Sequence, residues 1–283
     1  MTFAKRIDAM TLVGAGIFTV AFGLLYHHAI ASMVNDWSID PNYSHGFLVP
    51  LITGFFLWQK REALLEMTPS RSWFGLLVAL GGLAMFLVGS VAGESFTIRM
   101  SMLVVLFGAL LFACGWPIFR EMSFPLAFLV FMVPLPYILY DSVAFPLRMM
   151  ITTYSVEIMK FLGVAVMREG NIIHLTNTSL EVADACSGIR SIISLLALAT
   201  AMAYMFFRPM WKRIVLVSLA IPMAVFANGV RVVGTGVLAS RFGPEVAQGF
   251  FHEFAGLAVF ALAMAMLVGA AAVLSWIGRS RNG

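Results

Sequence analysis

The chain has 283 residues, of which 61% are hydrophobic and 11% are charged, and its formal net charge is +4 at pH 7. A water-soluble domain has about 25% charged residues, so this composition excludes a soluble globular protein and indicates a polytopic membrane protein. We expect one membrane-embedded domain over residues 1–283, because no polar stretch is long enough for a second core. Membrane lipids are expected partners, and nucleic acid is not.

Apolar runs close to the roughly 20 residues that cross a bilayer recur along the whole chain. The first follows Lys5 and Arg6, and its apolar part at 10–25 is longer than the roughly 7–15 residues of a cleavable signal core. We therefore predict an uncleaved first span, with a signal peptide cleaved near residues 29–31 as the alternative. An all-α membrane bundle of about eight spans is predicted, at 9–30, 46–59, 73–92, 98–114, 122–140, 188–207, 213–238 and 250–277.

The stretch 143–165 is apolar but is interrupted by Arg148, Glu157 and Lys160, and we predict an interfacial or re-entrant helix there, with a membrane span as the alternative. Basic residues in short loops mark the cytoplasmic side of a membrane protein. With eight spans, the inner side holds 11 of the 18 basic residues, namely Lys5, Arg6, Lys60, Arg61, Arg71, Arg120, Arg208, Lys212, Arg213, Arg279 and Arg281. The outer side is then formed by residues 31–45, 134–187 and 239–251.

Residues 171–183 are rich in Ile, Leu, Thr and Val around a polar Asn177-Thr178-Ser179 centre. This pattern is typical of a small β-hairpin or an extended loop. We predict such an element near 168–185 on the outer surface, and it leads directly to Cys186.

Cys186 lies where a polar stretch meets a long apolar run. Asp184 is a plausible N-cap for the helix that follows, which would place Cys186 in its first turn, where the helix dipole favours a thiolate. Arg190 is one turn further on the same face and would add positive potential. An inert buried thiol is the alternative for Cys186, whereas Cys114 shows none of these features and is predicted to be structural.

Two further spans carry polar residues at the predicted outer face. Asn228 and Arg231 are three residues apart on one helix face, and an arginine inside an apolar segment usually marks function, although a snorkelling arginine is the alternative. His252 begins the last span, and alone it could be an interfacial histidine without a role. Glu253 does not share its face, and the second histidine of a zinc-protease motif is missing.

These three candidates belong to different spans and reach the same membrane boundary. A cysteine nucleophile needs a partner that moves protons, which histidine can do near neutral pH. The oxyanion of a tetrahedral intermediate needs a fixed donor, and arginine stays charged. The set Cys186, Arg231 and His252 therefore indicates acyl transfer through a thioester. His45, in "DPNYSHGFLVP" at 40–50, is a second candidate proton carrier or substrate contact, and Tyr43 is interpreted as structural.

The chain resembles the exosortase/archaeosortase family over nearly its whole length. The resemblance rests on "YSHGFLVP" at 43–50, "MREGN" at 167–171, "DACSGIRS" at 184–191, the asparagine and arginine of 228–232, and the late His252, all in the family's order. It implies that Cys186 is the nucleophile, with Arg231 and His252 as its partners. Asp184 stands where many members have glutamate, which leaves the bracing of that loop open. The chain ends at Gly283 without the additional C-terminal domain of some members, so a link to polysaccharide export is not implied.

The resemblance also implies an activity and a place. The expected protein is a cysteine transpeptidase or protease of the bacterial cytoplasmic membrane, with its site facing the periplasm and no metal or cofactor. Its expected partners are C-terminal sorting signals of exported proteins, each with a short motif such as Pro-Glu-Pro, a transmembrane helix and a basic cluster. An acidic motif would suit Arg168, Arg190, Arg231 or Arg241. A non-catalytic channel or assembly factor and a purely hydrolytic protease remain alternatives, and the acceptor, the cleavage position and the choice between His45 and His252 stay open.

Overall fold

A computed structural model of the chain describes residues 9–176, 178–182, 188–243 and 250–277. In these ranges five helices are long and apolar enough to cross a membrane: Leu12–Ile39, Trp73–Ala92, Ser95–Met132, Met210–Phe242 and Phe254–Trp276. The expectation of a helical, multi-pass membrane protein is confirmed. The exact count of eight spans is not, because the predicted span at 46–59 corresponds to a helix of 12 residues, Leu48–Gln59, which is shorter than a full crossing.

The chain divides into two compact units, Met1–Pro136 and Tyr137–Gly283. The helices of the first unit are α1 (Ala9–Ile39), α2 (Leu48–Gln59), α3 (Arg61–Glu66), α4 (Trp73–Ala92) and α5 (Ser95–Phe128), with 3-10 turns at Pro41–Phe47 and Leu129–Met132. The second unit contains α6 (Tyr137–Phe161), β1 (Val166–Glu169), β2 (Ile172–Leu175), β3 (Ser179–Glu181), α7 (Gly188–Phe206), α8 (Met210–Phe242) and α9 (Phe250–Trp276). The expected single domain over 1–283 stays a prediction.

Helices α4 and α5 form a close hairpin because three glycines repeat every seven residues along α4. Gly75, Gly82 and Gly89 are all buried against α5. A methyl group built on Gly82 would lie 2.8 Å from the backbone nitrogen of Val105, which is closer than real side-chain carbons approach. Small residues at such contacts let helix backbones pack closely where the hydrophobic effect does not drive association.

The predicted spans at 98–114 and 122–140 differ from the structure in their boundaries. Helix α5 runs through both, but it is broken at Gly115, whose φ of 81° is a backbone angle that favours glycine. The regular helix ends at Phe128, and after a 3-10 turn the chain is irregular up to Pro136. Pro134 and Pro136 explain this end, since proline lacks an N–H donor and disfavours a helical residue before it.

In the second unit a three-stranded antiparallel sheet, in the order β1-β2-β3, follows α6. The hairpin predicted near 168–185 is therefore confirmed and is extended by one strand. Its buried side chains Ile173 and Leu180, and Val182 directly after β3, belong to one cluster with Met159 of α6 and Val232 of α8. The sheet is thus anchored to the C-terminal half of α8. Helix α6 is continuous over the stretch 143–165 as far as Phe161, and it is not among the helices that qualify as spans.

The glycine face of α4 can be tested with two neighbouring glycines. We expect Gly82→Ala to lower the free energy of unfolding by about 1–3 kcal/mol, because the added methyl group forces α4 away from Val105. Gly81 is exposed and nothing lies within 4 Å of its added methyl group, so Gly81→Ala should be neutral or stabilising through helix propensity. Thermal unfolding in detergent measures both, and equal transition temperatures would contradict the close packing.

Candidate active site

Helix α8 is the central element of the second unit, and one of its faces leads to Arg231. Ala220, Ala224 and Ala227 are buried on this face in a core cluster that they share with α7 and α9. Arg231 follows Ala227 by four residues, one helical turn, and therefore lies on the same face. The buried apolar face of α8 is thus followed, one turn toward the C-terminal end of the helix, by a charged residue.

The guanidinium of Arg231 lies against α9. A methyl group built on Gly256 would be 3.7 Å from Nη2 and 3.9 Å from Cζ of Arg231. Position 252 precedes Gly256 by four residues, so the backbone of α9 presents both positions on one face. The structure therefore brings Arg231 to the helix face that carries position 252, although the side chain of His252 lies outside what the structure describes.

A second contact fixes the register of this antiparallel helix pair. The Nζ atom of buried Lys212 donates a hydrogen bond of 2.6 Å to the carbonyl oxygen of Leu274. Lys212 and Arg231 are 19 residues apart on α8, and Gly256 and Leu274 are 18 residues apart on α9. The two contacts therefore agree on one alignment of the helices over about 28 Å.

The start of α7 lies at about the same height along α8 as Arg231. The guanidinium of Arg213 lies 5.2 Å from the ring centre of Tyr204, near the turn that joins the two helices. Counting sixteen residues along both antiparallel helices from this pair reaches Gly188, the first residue of α7, and Gly229 on α8. The N-terminal end of α7 is thus level with the turn of α8 that carries Arg231.

The sequence matches the family model of the transmembrane exosortase over residues 37–269. The chain belongs to the transmembrane exosortase family. The matched range includes the polar stretch at 40–50 as well as positions 186, 231, 252 and 256. No curated protein and no solved structure matches the chain.

The other predicted site residues of this exosortase differ in their burial and in their distance from Arg231. Asn228 is 2% exposed and lies one turn before Arg231 on α8. Arg168 is exposed on β1 and donates a hydrogen bond from Nη1 to Thr153 Oγ1 of α6. Arg241 is exposed ten residues beyond Arg231, about 15 Å along the helix. The structure does not bring Arg241 to Arg231, so a substrate contact of Arg168 or Arg241 stays a prediction.

Two of the predicted residues, Cys186 and Asp184, lie outside the described residues, as does the side chain of Arg190. The capping role of Asp184 and the chemistry of Cys186 therefore stay predictions. Cys114, in contrast, is described: it lies in α5, partly buried, and its carbonyl oxygen accepts a hydrogen bond of 3.2 Å from the backbone of Ser70.

An apolar groove of about 590 Å³ lies between α6 and α8. Met150 and Tyr154 of α6 and Phe226, Gly229 and Val233 of α8 are among the residues that line it. On a helix with 100° per residue, Phe226, Gly229 and Val233 point about 140–160° away from Arg231, whereas Gly234, which also lines the groove, points about 60° away. Most of the groove therefore lies on a different side of α8 from Arg231.

In the first unit the stretch 40–50 forms a compact polar turn around His45. The Asp40 side chain accepts a hydrogen bond of 2.8 Å from the backbone of Asn42, and Gly46 lies directly under the indole ring of Trp37. Burial lowers the pKa of His45 below its usual 6.5, while hydrogen bonds to the backbone of Phe131 and Asn42 act in the opposite direction. The neutral form of His45 is thus the one that fits the packing of this turn.

Tyr43 is held by the same turn, and its hydroxyl donates to the carbonyl oxygen of Leu135 at 3.4 Å. Whether His45 also takes part in catalysis stays a prediction, because it belongs to the first unit and the other candidates belong to the second.

Sequence reasoning did not identify Gly256 or Lys212, although both help to define this site. A signal for Gly256 was present, since "HEFAG" at 252–256 places a glycine one turn after the predicted histidine. Lys212 was counted only as a basic residue of an inner loop. Its contact with the far end of α9 is a tertiary feature that no local pattern contains.

The lowered pKa of His45 predicts a pH dependence of stability. The unfolded chain binds this proton more readily than the folded chain, so the contribution is complete above about pH 6.5 and is lost as pH falls further. We expect the thermal transition in detergent to fall between pH 7.5 and 5.5, and to fall less in His45→Gln. An equal fall in both proteins would contradict the role given to this histidine.

Proposed function

We propose that this exosortase is a membrane-embedded cysteine transpeptidase or protease. It cleaves C-terminal sorting signals of exported proteins at the outer face of the bacterial cytoplasmic membrane. Cys186 is the nucleophile, Arg231 stabilises the oxyanion and His252 moves the proton. The contact of Arg231 with the face of α9 that carries position 252 is the observation on which the proposal chiefly rests.

The sequence positions that flank Cys186 support its place in this site. Gly188, two residues after Cys186, is level with the turn of α8 that carries Arg231. Val182, four residues before Cys186, is buried in the same cluster as Val232, the neighbour of Arg231. A chain spans at most about 3.6 Å per residue, so both flanks limit how far Cys186 can be from Arg231.

The chemistry follows from the residue types. The thiolate of Cys186 attacks the carbonyl carbon of the peptide bond and forms a C–S bond, which leaves a negative charge on the carbonyl oxygen. Arg231 donates hydrogen bonds to that oxygen, and fixed donors of this kind are among the largest contributions to acyl-transfer catalysis. The C–N bond then breaks and His252 protonates the departing amine. An amine or water then attacks the thioester and gives a proton to the neutral His252, and the C–S bond breaks to release the thiolate.

The position of Arg231 suits this role because of its surroundings. It continues a face of buried alanines, and an ionised side chain in such a setting is costly unless it serves a site or is paired. Arg231 is partly buried, and partial removal of water also strengthens the interaction of a guanidinium with an oxyanion. The transmembrane helix of a sorting signal would approach from within the membrane and bring the scissile bond to the level of Arg231.

The two cysteines provide a matched pair of variants. We expect Cys186→Ala to abolish cleavage of an exported reporter that ends in a Pro-Glu-Pro motif, a transmembrane helix and a basic cluster, because the nucleophile is lost. Cys114→Ala should retain nearly full cleavage, since Cys114 belongs to α5 of the other unit. Immunoblots of the reporter, with both variants shown to be inserted in the membrane, measure this. A Cys186→Ala protein that still matures the reporter would favour a non-catalytic channel or assembly factor.

The new C-terminus of the reporter identifies the acceptor. Transfer to an amine leaves an added group on the product, whereas hydrolysis leaves a free carboxylate. We expect an added group, and mass spectrometry of the C-terminal peptide measures it. A free carboxylate alone would establish the purely hydrolytic protease.

A further inference from the structure

The position that a side chain of residue 256 would occupy faces a charged group and not a helix backbone. In the part of the chain that the structure describes, the atoms within 4 Å of a methyl group built on Gly256 are Nη2 and Cζ of Arg231. At Gly75 and Gly82 of α4, by comparison, such a methyl group meets backbone atoms of α5. The glycines of α4 thus allow two helices to approach, whereas Gly256 keeps side-chain atoms beyond a β carbon away from a guanidinium.

We infer that Gly256 is a positioning residue for Arg231. Because residue 256 has no side chain, the surface of α9 is flat beside the guanidinium, at the level where the oxyanion would be stabilised. This inference rests on the proposed function, in which Arg231 donates to the oxyanion of the intermediate. It assigns to Gly256 the task of fixing the direction in which that donor points.

The distances define how large a side chain position 256 can carry without displacing the guanidinium. At 3.7 Å from Nη2, the carbon of an alanine would be in ordinary van der Waals contact with the guanidinium. A valine adds two γ carbons, which occupy two of the three staggered positions on the Cβ atom and leave few rotamers that avoid Arg231. Valine at 256 would therefore move the guanidinium, while alanine would not.

Displacement of the guanidinium has a kinetic consequence that simple destabilisation lacks. An oxyanion donor acts in the transition state, so its displacement lowers kcat and leaves KM nearly unchanged. A misplacement of about 1 Å can cost on the order of 100-fold in rate, and complete loss of one donor costs about 100- to 1,000-fold. Gly256→Val should fall in this range, whereas a loss of binding would raise KM.

Gly269 provides the matched control on the same helix. It is exposed and nothing lies within 4 Å of its added methyl group. With the purified full chain and a peptide of the reporter signal, we expect kcat to fall about 100-fold or more in Gly256→Val. It should change less than about threefold in Gly256→Ala and Gly269→Val. Equal kcat values for Gly256→Val and Gly269→Val would overturn the inference.

A double-mutant cycle separates positioning from a general packing defect. If Gly256 acts through Arg231, Gly256→Val causes no further loss of kcat in the Arg231→Ala background. A loss of equal size in both backgrounds would overturn the inference. Thermal unfolding shows whether each variant is folded, and if Gly256→Val is not, Gly256→Ser with a single γ atom enters the same cycle with the same two outcomes. Cleavage by Cys186→Ala in this assay would instead refute the proposed function.

Discussion

The antiparallel packing of α8 against α9 determines where the charged groups of the second unit meet. Lys212 contacts Leu274 at one end of the pair, and Arg231 contacts Gly256 at the other. Between these contacts the interface consists of alanine and other apolar side chains, which carry little information about register by themselves. The two cationic groups supply that information, because Lys212 donates to the backbone of Leu274 and the guanidinium of Arg231 lies beside the position of Gly256. The candidate active site depends on this alignment.

Helix α8 packs against other elements through two different faces, and this division explains how its residues are distributed. One face packs with α7 and α9 and ends in Arg231. Another packs with α6 and the sheet through Val232 and Ala239. The strands before Cys186 and the helix after it are therefore both held on one scaffold. The nucleophile that we propose at Cys186 lies in the sequence between these two anchored elements, and Arg231 lies on the helix that supports both.

The sequence predicted the helical class, the multi-pass arrangement and the β-hairpin, because these follow from local composition and alternation. It also marked Arg231 as a candidate site residue, since an arginine among alanines and valines conflicts with its surroundings, and that role stays a prediction. It did not predict the end of α5 near Phe128 or the extension of α1 to Ile39, because apolar runs define hydrophobicity more sharply than helix boundaries. Gly256 and Lys212 escaped prediction because their roles lie in contacts between helices distant in sequence.

The double attachment of α8 to α9 makes the number of residues between Lys212 and Arg231 a fixed property of the fold. A single inserted residue in that segment would rotate everything beyond it by about 100° and shift it by about 1.5 Å. Arg231 would then turn away from Gly256 while Lys212 kept its bond to Leu274. Natural variation in the length of this chain should therefore accumulate in the connections between helices and be absent from the middle of α8.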